Sequence, residues 1–518
     1  MNRFLLIFLL LSMFACKQNQ EKEVKQEKEA ISTAIYNEKF RPQFHFSPQS
    51  KWMNDPNGMV FYKGIYHLFY QYYPEDIVWG PMHWGHAVSE DLIQWEHKPI
   101  ALYPDSLGYI FSGSTVVDFE NTSGFGTTEN PPLVAIYTYH DIEGERAKRK
   151  DFQTQGIAYS LDNGDSWIKY DANPVIGNKN IKDFRDPKVM WHDESSQWIM
   201  TLVAGDHAKF YGSEDLKKWN LLSEFGKDKG AHGGVWECPD LFKIKVKGSE
   251  EEKWVLFISI NPGAPNGGSG TQYFIGDFDG KKFTAEQKNE WLDYGRDNYA
   301  GVTYSNAPNG DHTFIGWMSN WDYAQITPTE IWRSAMTLPR NIELVKEQTG
   351  YFLKSYPVSN LKSISRELLV EEKIELDKKY KLTNENFNNL DLVFSAKLSD
   401  AIRLILSNEK GENVVFEVNT VENELWFDRT ESGLVAFEPR FAGTVQKQSY
   451  QENENLIEFR FITDESLIEI FIDQGRYIFT NQIFPSMPYT NLEIQGKDGV
   501  SISNFSINKL SSIWSNHE

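Results

Sequence analysis

Ser89-Glu-Asp-Leu-Ile-Gln-Trp95 is a polar turn closed by an aromatic residue, and it recurs as Ser160-Leu-Asp-Asn-Gly-Asp-Ser-Trp167 and Ser213-Glu-Asp-Leu-Lys-Lys-Trp219. A degenerate copy, Gly276-Asp-Phe-Asp-Gly-Lys-Lys-Phe283, follows. Each copy comes after apolar, strand-like runs: Tyr66 to Tyr70 and His83 to Val88 before the first, Leu133 to Tyr137 and Thr154 to Tyr159 before the second. Trp198 to Val203 precedes the third and Trp254 to Ser259 the fourth. A fifth unit starts at Ala300 to Tyr304, continues through Thr313 to Trp317 and ends near Ala335 to Pro339, without the turn. Repeated units of short strands, with no amphipathic helix between them, predict an all-β fold. Its first part is a five-bladed β-propeller whose innermost strands ring a channel.

Beyond about Asn341 a second set of alternating strands appears, among them Asp391 to Ala396, Ile402 to Leu406, Val414 to Val418, Leu456 to Phe461 and Ser466 to Ile472. Their period of two predicts a C-terminal β-sandwich. The expected division is a leader over 1–16, a tether over 17–38, the propeller over 39–342 and the sandwich over 343–518. The leader carries Arg3 and an apolar run from Phe4 to Phe14, too short to span a bilayer and of secretory form. Small Ala15 before Cys16 resembles a bacterial lipoprotein processing site, which makes Cys16 the candidate lipidated residue of an exported, membrane-anchored protein. The polar stretch from Lys17 to Glu29 reads as a flexible tether.

Composition narrows the function. In 518 residues, 52 basic side chains face 73 acidic ones, a formal charge of −21 that repels phosphate backbones and excludes nucleic acid as an expected partner. Apolar residues make up 40% and aromatics 14%, which suits a folded chain with aromatic sugar-binding surfaces. The dense basic run from Glu145 to Lys150 reads as a solvated loop. The second of the two cysteines, Cys238, lies between Glu237 and Pro239 and reads as a packing residue. The His residues are scattered, without metal-ligand spacing, and the glycine-rich Gly263 to Gln272 has no lysine for a phosphate, so neither metal nor cofactor is expected.

Three acidic motifs carry the chemistry: Trp52-Met-Asn-Asp-Pro-Asn-Gly58, Arg185-Asp-Pro187 and Glu237-Cys-Pro239. Each stands just before a strand-like run in a different unit, so Asp55, Asp186 and Glu237 are expected at strand entrances facing one pocket. Acetal hydrolysis needs such carboxylates, one to protonate the leaving oxygen and one to attack or stabilise the cation-like carbon. Singly the motifs are weak, because Asn54 to Gly58 is also a turn cluster and Arg185-Asp186 also suits a structural ion pair.

Together with Phe111-Ser-Gly-Ser114, Trp84-Gly-His86 and Trp332 to Arg340 in the same order, the motifs resemble those of glycoside hydrolase family 32, the β-fructosidases. The resemblance covers the chain from about Phe40 onward. It implies Asp55 as nucleophile, Glu237 as general acid and base, and Asp186 as transition-state stabiliser kept ionised by Arg185. Asn54, Asn57, Gln71, Trp79, Phe111, Ser112, Arg185 and Trp317 are implied as substrate contacts, with a core role competing for the two tryptophans. The implied reaction releases fructose from levan, inulin, short fructans or sucrose with retention, which requires roughly 5 to 5.5 Å between the carboxyl groups of Asp55 and Glu237. A fructosyltransferase or endo-levanase on the same scaffold, and a noncatalytic fructan-binding surface lipoprotein, are the alternatives.

Overall fold

The computed structural model describes residues 36–376, 379–451, 455–497 and 499–514. The leader, Cys16 and most of the tether lie outside the described residues. The last tether residues do not: Tyr36 stacks on Trp514 with ring centroids 4.1 Å apart, and Glu38 pairs with buried Arg41 at 2.9 Å. The folded region therefore starts ahead of residue 39.

Five separate antiparallel sheets make up the first part of the chain. Their innermost strands are Lys51–Tyr62, Tyr109–Val117, Phe184–His192, Val235–Lys245 and Tyr299–Thr303. Each packs against the next, and the last packs against the first, which closes a propeller. The closure is reinforced by the short strand Trp332–Arg333, which leaves the fifth unit and pairs in parallel with Lys51 and Trp52 of the first sheet.

The repeated turns explain how four sheets form. Ser89 Oγ accepts the Leu92 N–H at 2.8 Å, and Asp91 Oδ1 accepts the N–H groups of Ile93 and Gln94, both at 2.8 Å. Asp162 and Asp215 repeat the arrangement with the N–H groups of Ser166, Lys217 and Lys218, and Asp279 does so with Lys281 and Lys282. These side-chain-to-backbone bonds fold the hairpin between the third and outermost strands of each sheet. The fifth sheet has no such turn and ends in the tight hairpin Arg340–Glu347 and Gly350–Pro357. It thus runs to Pro357, a correction to the expected boundary at 342, because residues 335–339 form only an isolated bridge, Met336 to Trp317, rather than a closing strand.

The C-terminal domain is a sandwich of two six-stranded sheets. Phe394, Phe416, Phe459, Phe461 and Phe479 fill the space between them. It is joined to the propeller by buried charges. Arg429 donates to Asp297 at 2.6 Å and to the Tyr323 hydroxyl at 2.7 Å, while Arg340 reaches Glu469 at 3.1 Å. Removing one partner from such a buried pair costs about 3–5 kcal/mol. That fixes one domain against the other and holds the fifth sheet in place.

Candidate active site

Every innermost strand contributes a side chain to one end of the channel. The first supplies Asn54 and Asp55, the second Phe111 and Ser112, the third Arg185 and Asp186, the fourth Glu237 and the fifth Tyr299. The three acids do not precede their strands, as expected, but lie inside them at irregularities of the ladder. Register shifts separate Met53 from Pro56, Lys188 from Arg185 and Glu237 from Asp240. Asp186 has φ 64° and Cys238 φ 43°, left-handed conformations that re-aim the chain. A β-bulge of this kind turns an otherwise alternating side chain into the channel.

Asp55 is held from two sides: Ser112 Oγ donates to Oδ2 at 2.7 Å and Asn54 Nδ2 donates to Oδ1 at 3.0 Å. Asn54 is itself fixed by the Trp52 indole N–H at 2.7 Å. Burial, then the negative charge of Glu237, pushes the Asp55 carboxyl above its ordinary range, against the pull of Ser112, Asn54 and Cys238. Asp186 receives the backbone N–H of Cys238 at 3.0 Å. Its pKa is pushed up to about 7, first by burial and then by Glu237 and Asp55, with Arg185 opposing.

The positive charge of Arg185 favours ionised Asp186, as expected, but its hydrogen bonds go to other carboxylates. Its Nε is 3.9 Å from Asp186, whereas Nη2 and Nε donate to Glu237 Oε1 at 2.9 and 3.2 Å and Nη1 donates to Asp183 at 3.0 Å. The guanidinium is thus a clamp on Glu237. Tyr299 completes that clamp by donating its hydroxyl to Glu237 Oε2.

The cavity at this end has a volume of about 200 Å³ and is lined by Asn54, Asp55, Gln71, Trp79, Phe111 and Ser112. Arg185, Asp186 and Glu237 line it as well, with Trp321. A larger space of about 570 Å³ lies around Lys188, Asp240 and Tyr304. None of the three acids lines it, so size alone does not mark the chemistry. Two expected contacts stand back from the catalytic cavity. Asn57 is buried and accepts from Gln71 Nε2 at 2.7 Å, so it orients Gln71. Trp317 is fully buried with its indole N–H on Ser334 and its ring 4.9 Å from that of Trp321, which takes the lining position.

The geometry has counterparts among known proteins. A model described as glycosyl hydrolases family 32 N-terminal domain matches residues 45–357, and one described as glycosyl hydrolases family 32 C terminal matches residues 358–510. The chain belongs to glycosyl hydrolase family 32. Within that family it is 43% identical over 515 residues to a levanase of Bacillus subtilis (strain 168), covering 94% of this chain and 72% of that protein. It is 40% identical over 517 residues to an extracellular exo-inulinase of Aspergillus awamori, covering 92% and 96%. The crystal structure of an exo-inulinase from Aspergillus awamori superposes with a TM-score of 0.85 at 36% identity, covering 92% of this chain and all of that one.

Several residues of this family-32 site escaped the sequence reading. Tyr299 had a signal, since it opens the innermost strand of the one unit that lacks both turn and acid. Trp321, His140, Glu145, Gln153 and Asp183 come from segments between strands or from strand ends, where neither motif nor period marks them. Cys238 is buried, as expected, yet its thiol also lies 3.4 Å from Asp55 and 3.7 Å from Asp186.

Proposed function

We propose that this glycoside hydrolase is a retaining, exo-acting β-fructosidase that removes terminal fructose from fructans. The observation that carries the reading is the convergence of Asp55, Asp186 and Glu237 on one small cavity. At about 200 Å³ it is below the roughly 300–1,000 Å³ of drug-sized sites, which favours a chain end over an internal stretch.

In this mechanism Glu237 protonates the glycosidic oxygen while Asp55 attacks the anomeric carbon. The bond to the leaving sugar breaks, and a fructosyl ester on Asp55 forms. Asp186 accepts hydrogen bonds from ring hydroxyls that strengthen as the carbon becomes cation-like. Glu237 then takes a proton from water, which cleaves the ester with a second inversion and so overall retention. Arg185 and Tyr299 hold Glu237 in place for both steps.

The leader and Cys16 support export with a lipid anchor. Radiolabelled palmitate entering the wild-type chain but not Cys16→Ser tests that anchor. The function itself is tested by chromatography of digests of levan, inulin and sucrose. Free fructose as the first product supports exo-hydrolysis. Early oligosaccharides indicate endo attack or transfer, and no product from any of the three defeats the enzymatic reading.

A further inference from the structure

The basic run that reads as a solvated loop in the sequence stands at the rim of the catalytic cavity. It connects the strands Leu133–His140 and Gln153–Ser160 and contains the short helix Ile142–Arg146. Asp141 caps that helix by accepting the Gly144 N–H at 3.0 Å, and Arg149 ties the loop together through Asp141 and Asp151, both at 2.9 Å. Arg146 is likewise paired within the loop, with Glu143 at 2.6 Å. Glu145 is left lining the cavity, about half exposed, with Oε2 3.1 Å from His140 Nε2.

A directed chain of hydrogen bonds fixes Glu145. Arg185 Nη1 donates to Gln153 Oε1 at 3.4 Å, and Gln153 Nε2 donates to His140 Nδ1 at 3.2 Å. With Nδ1 accepting, the ring proton of neutral His140 sits on Nε2 and is donated to Glu145. Burial, then Arg185, lowers the His140 pKa to about 4, so the imidazole is neutral at working pH. Its ring is clamped flat against Phe111, with centroids 4.2 Å apart and planes at 5°.

Arg185 is the residue that clamps Glu237, so the chain runs from the acid to the cavity rim. The acid must face the oxygen of the bond that breaks, so the groups joined to it toward the rim meet the leaving sugar rather than the fructosyl unit that stays on Asp55. A carboxylate has about four acceptor positions, and His140 occupies one. We infer that Glu145, positioned by His140 and Gln153, binds a hydroxyl of the sugar or fructosyl unit that leaves, and that the 141–151 loop forms the leaving-group subsite.

This inference rests on the β-fructosidase reading, and the test separates the two. Wild type, Glu145→Gln, Glu145→Ala and His140→Phe are assayed on sucrose, on a fructose disaccharide and on p-nitrophenyl β-fructofuranoside, whose leaving group offers no sugar hydroxyl. His140→Phe keeps the stack on Phe111 and removes the N–H. For Glu145→Ala, kcat/KM is expected to fall about tenfold more on the sugar substrates than on the nitrophenyl substrate, mostly through KM. Glu145→Gln and His140→Phe show the same preference, less strongly. Equal losses on all three substrates, or none on any, overturn the subsite. Failure of the wild type to release fructose from any substrate overturns the β-fructosidase reading instead.

Discussion

The thiol of Cys238 stands 3.4 Å from Oδ2 of Asp55, the oxygen that also accepts from Ser112. A thiol is a weak donor, and its loss removes about 1 kcal/mol of organisation, so Cys238→Ala should lower kcat/KM roughly fivefold while leaving the fold intact. Burial, followed by the charges of Asp55, Asp186 and Glu237, disfavours the thiolate. Cys238 of the native protein should resist iodoacetamide and react only when unfolded. Rapid alkylation of the peptide bearing Cys238 in the native chain, read by mass spectrometry, would contradict this placement.

The carboxyl cluster sets the pH profile. Burial first, and then the charge of Glu237, raises both Asp55 and Asp186, and in the proposed mechanism each works in its ionised form. Activity is therefore lost on acidification through their raised pKa values, and the acid limb of kcat/KM should lie above the ordinary carboxylate range. A kcat/KM profile against pH on p-nitrophenyl β-fructofuranoside checks this, and an acid limb in the ordinary carboxylate range would contradict the raised values.

Stability has its own pH dependence at the domain junction. His45 is fully buried, which alone would lower its pKa, but a hydrogen bond to Asp464 at 2.8 Å and the carboxylate of Glu469 at 3.5 Å outweigh burial and raise it to about 9. A group raised above its unfolded value of roughly 6.5 stabilises fully below that pH and loses the contribution as pH rises through the folded value. The contribution is on the order of 3 kcal/mol at about 1.4 kcal/mol per pKa unit. Tm should decline between about pH 6.5 and 9, and this slope should flatten in His45→Gln. An equal slope in both proteins would assign the decline elsewhere.

The sequence exposed the sheets through their turns, since a Ser or Asp that bonds the next backbone N–H groups is a local event written in consecutive residues. It exposed the three acids because each sits in a short motif on an innermost strand. It hid their exact placement, because the bulges and the left-handed Asp186 and Cys238 depend on neighbouring strands. It placed the Arg185 charge beside Asp186, at 3.9 Å, but hid where its hydrogen bonds go. The bulge sends the guanidinium across to Glu237 on the next strand. Trp317 ends the strand Thr313–Trp317 and Trp321 stands in the loop after it, so only packing decides which of the two faces the cavity.

The most direct test of the account is to trap the intermediate on Asp55. In Glu237→Gln, p-nitrophenyl β-fructofuranoside still esterifies Asp55 because its leaving group needs little acid help, while the missing base slows release by water. Mass spectrometry of the quenched, digested variant should find one fructosyl increment on the peptide bearing Asp55. Release of nitrophenol with no labelled peptide, or with the label on another residue, would contradict Asp55 as the nucleophile.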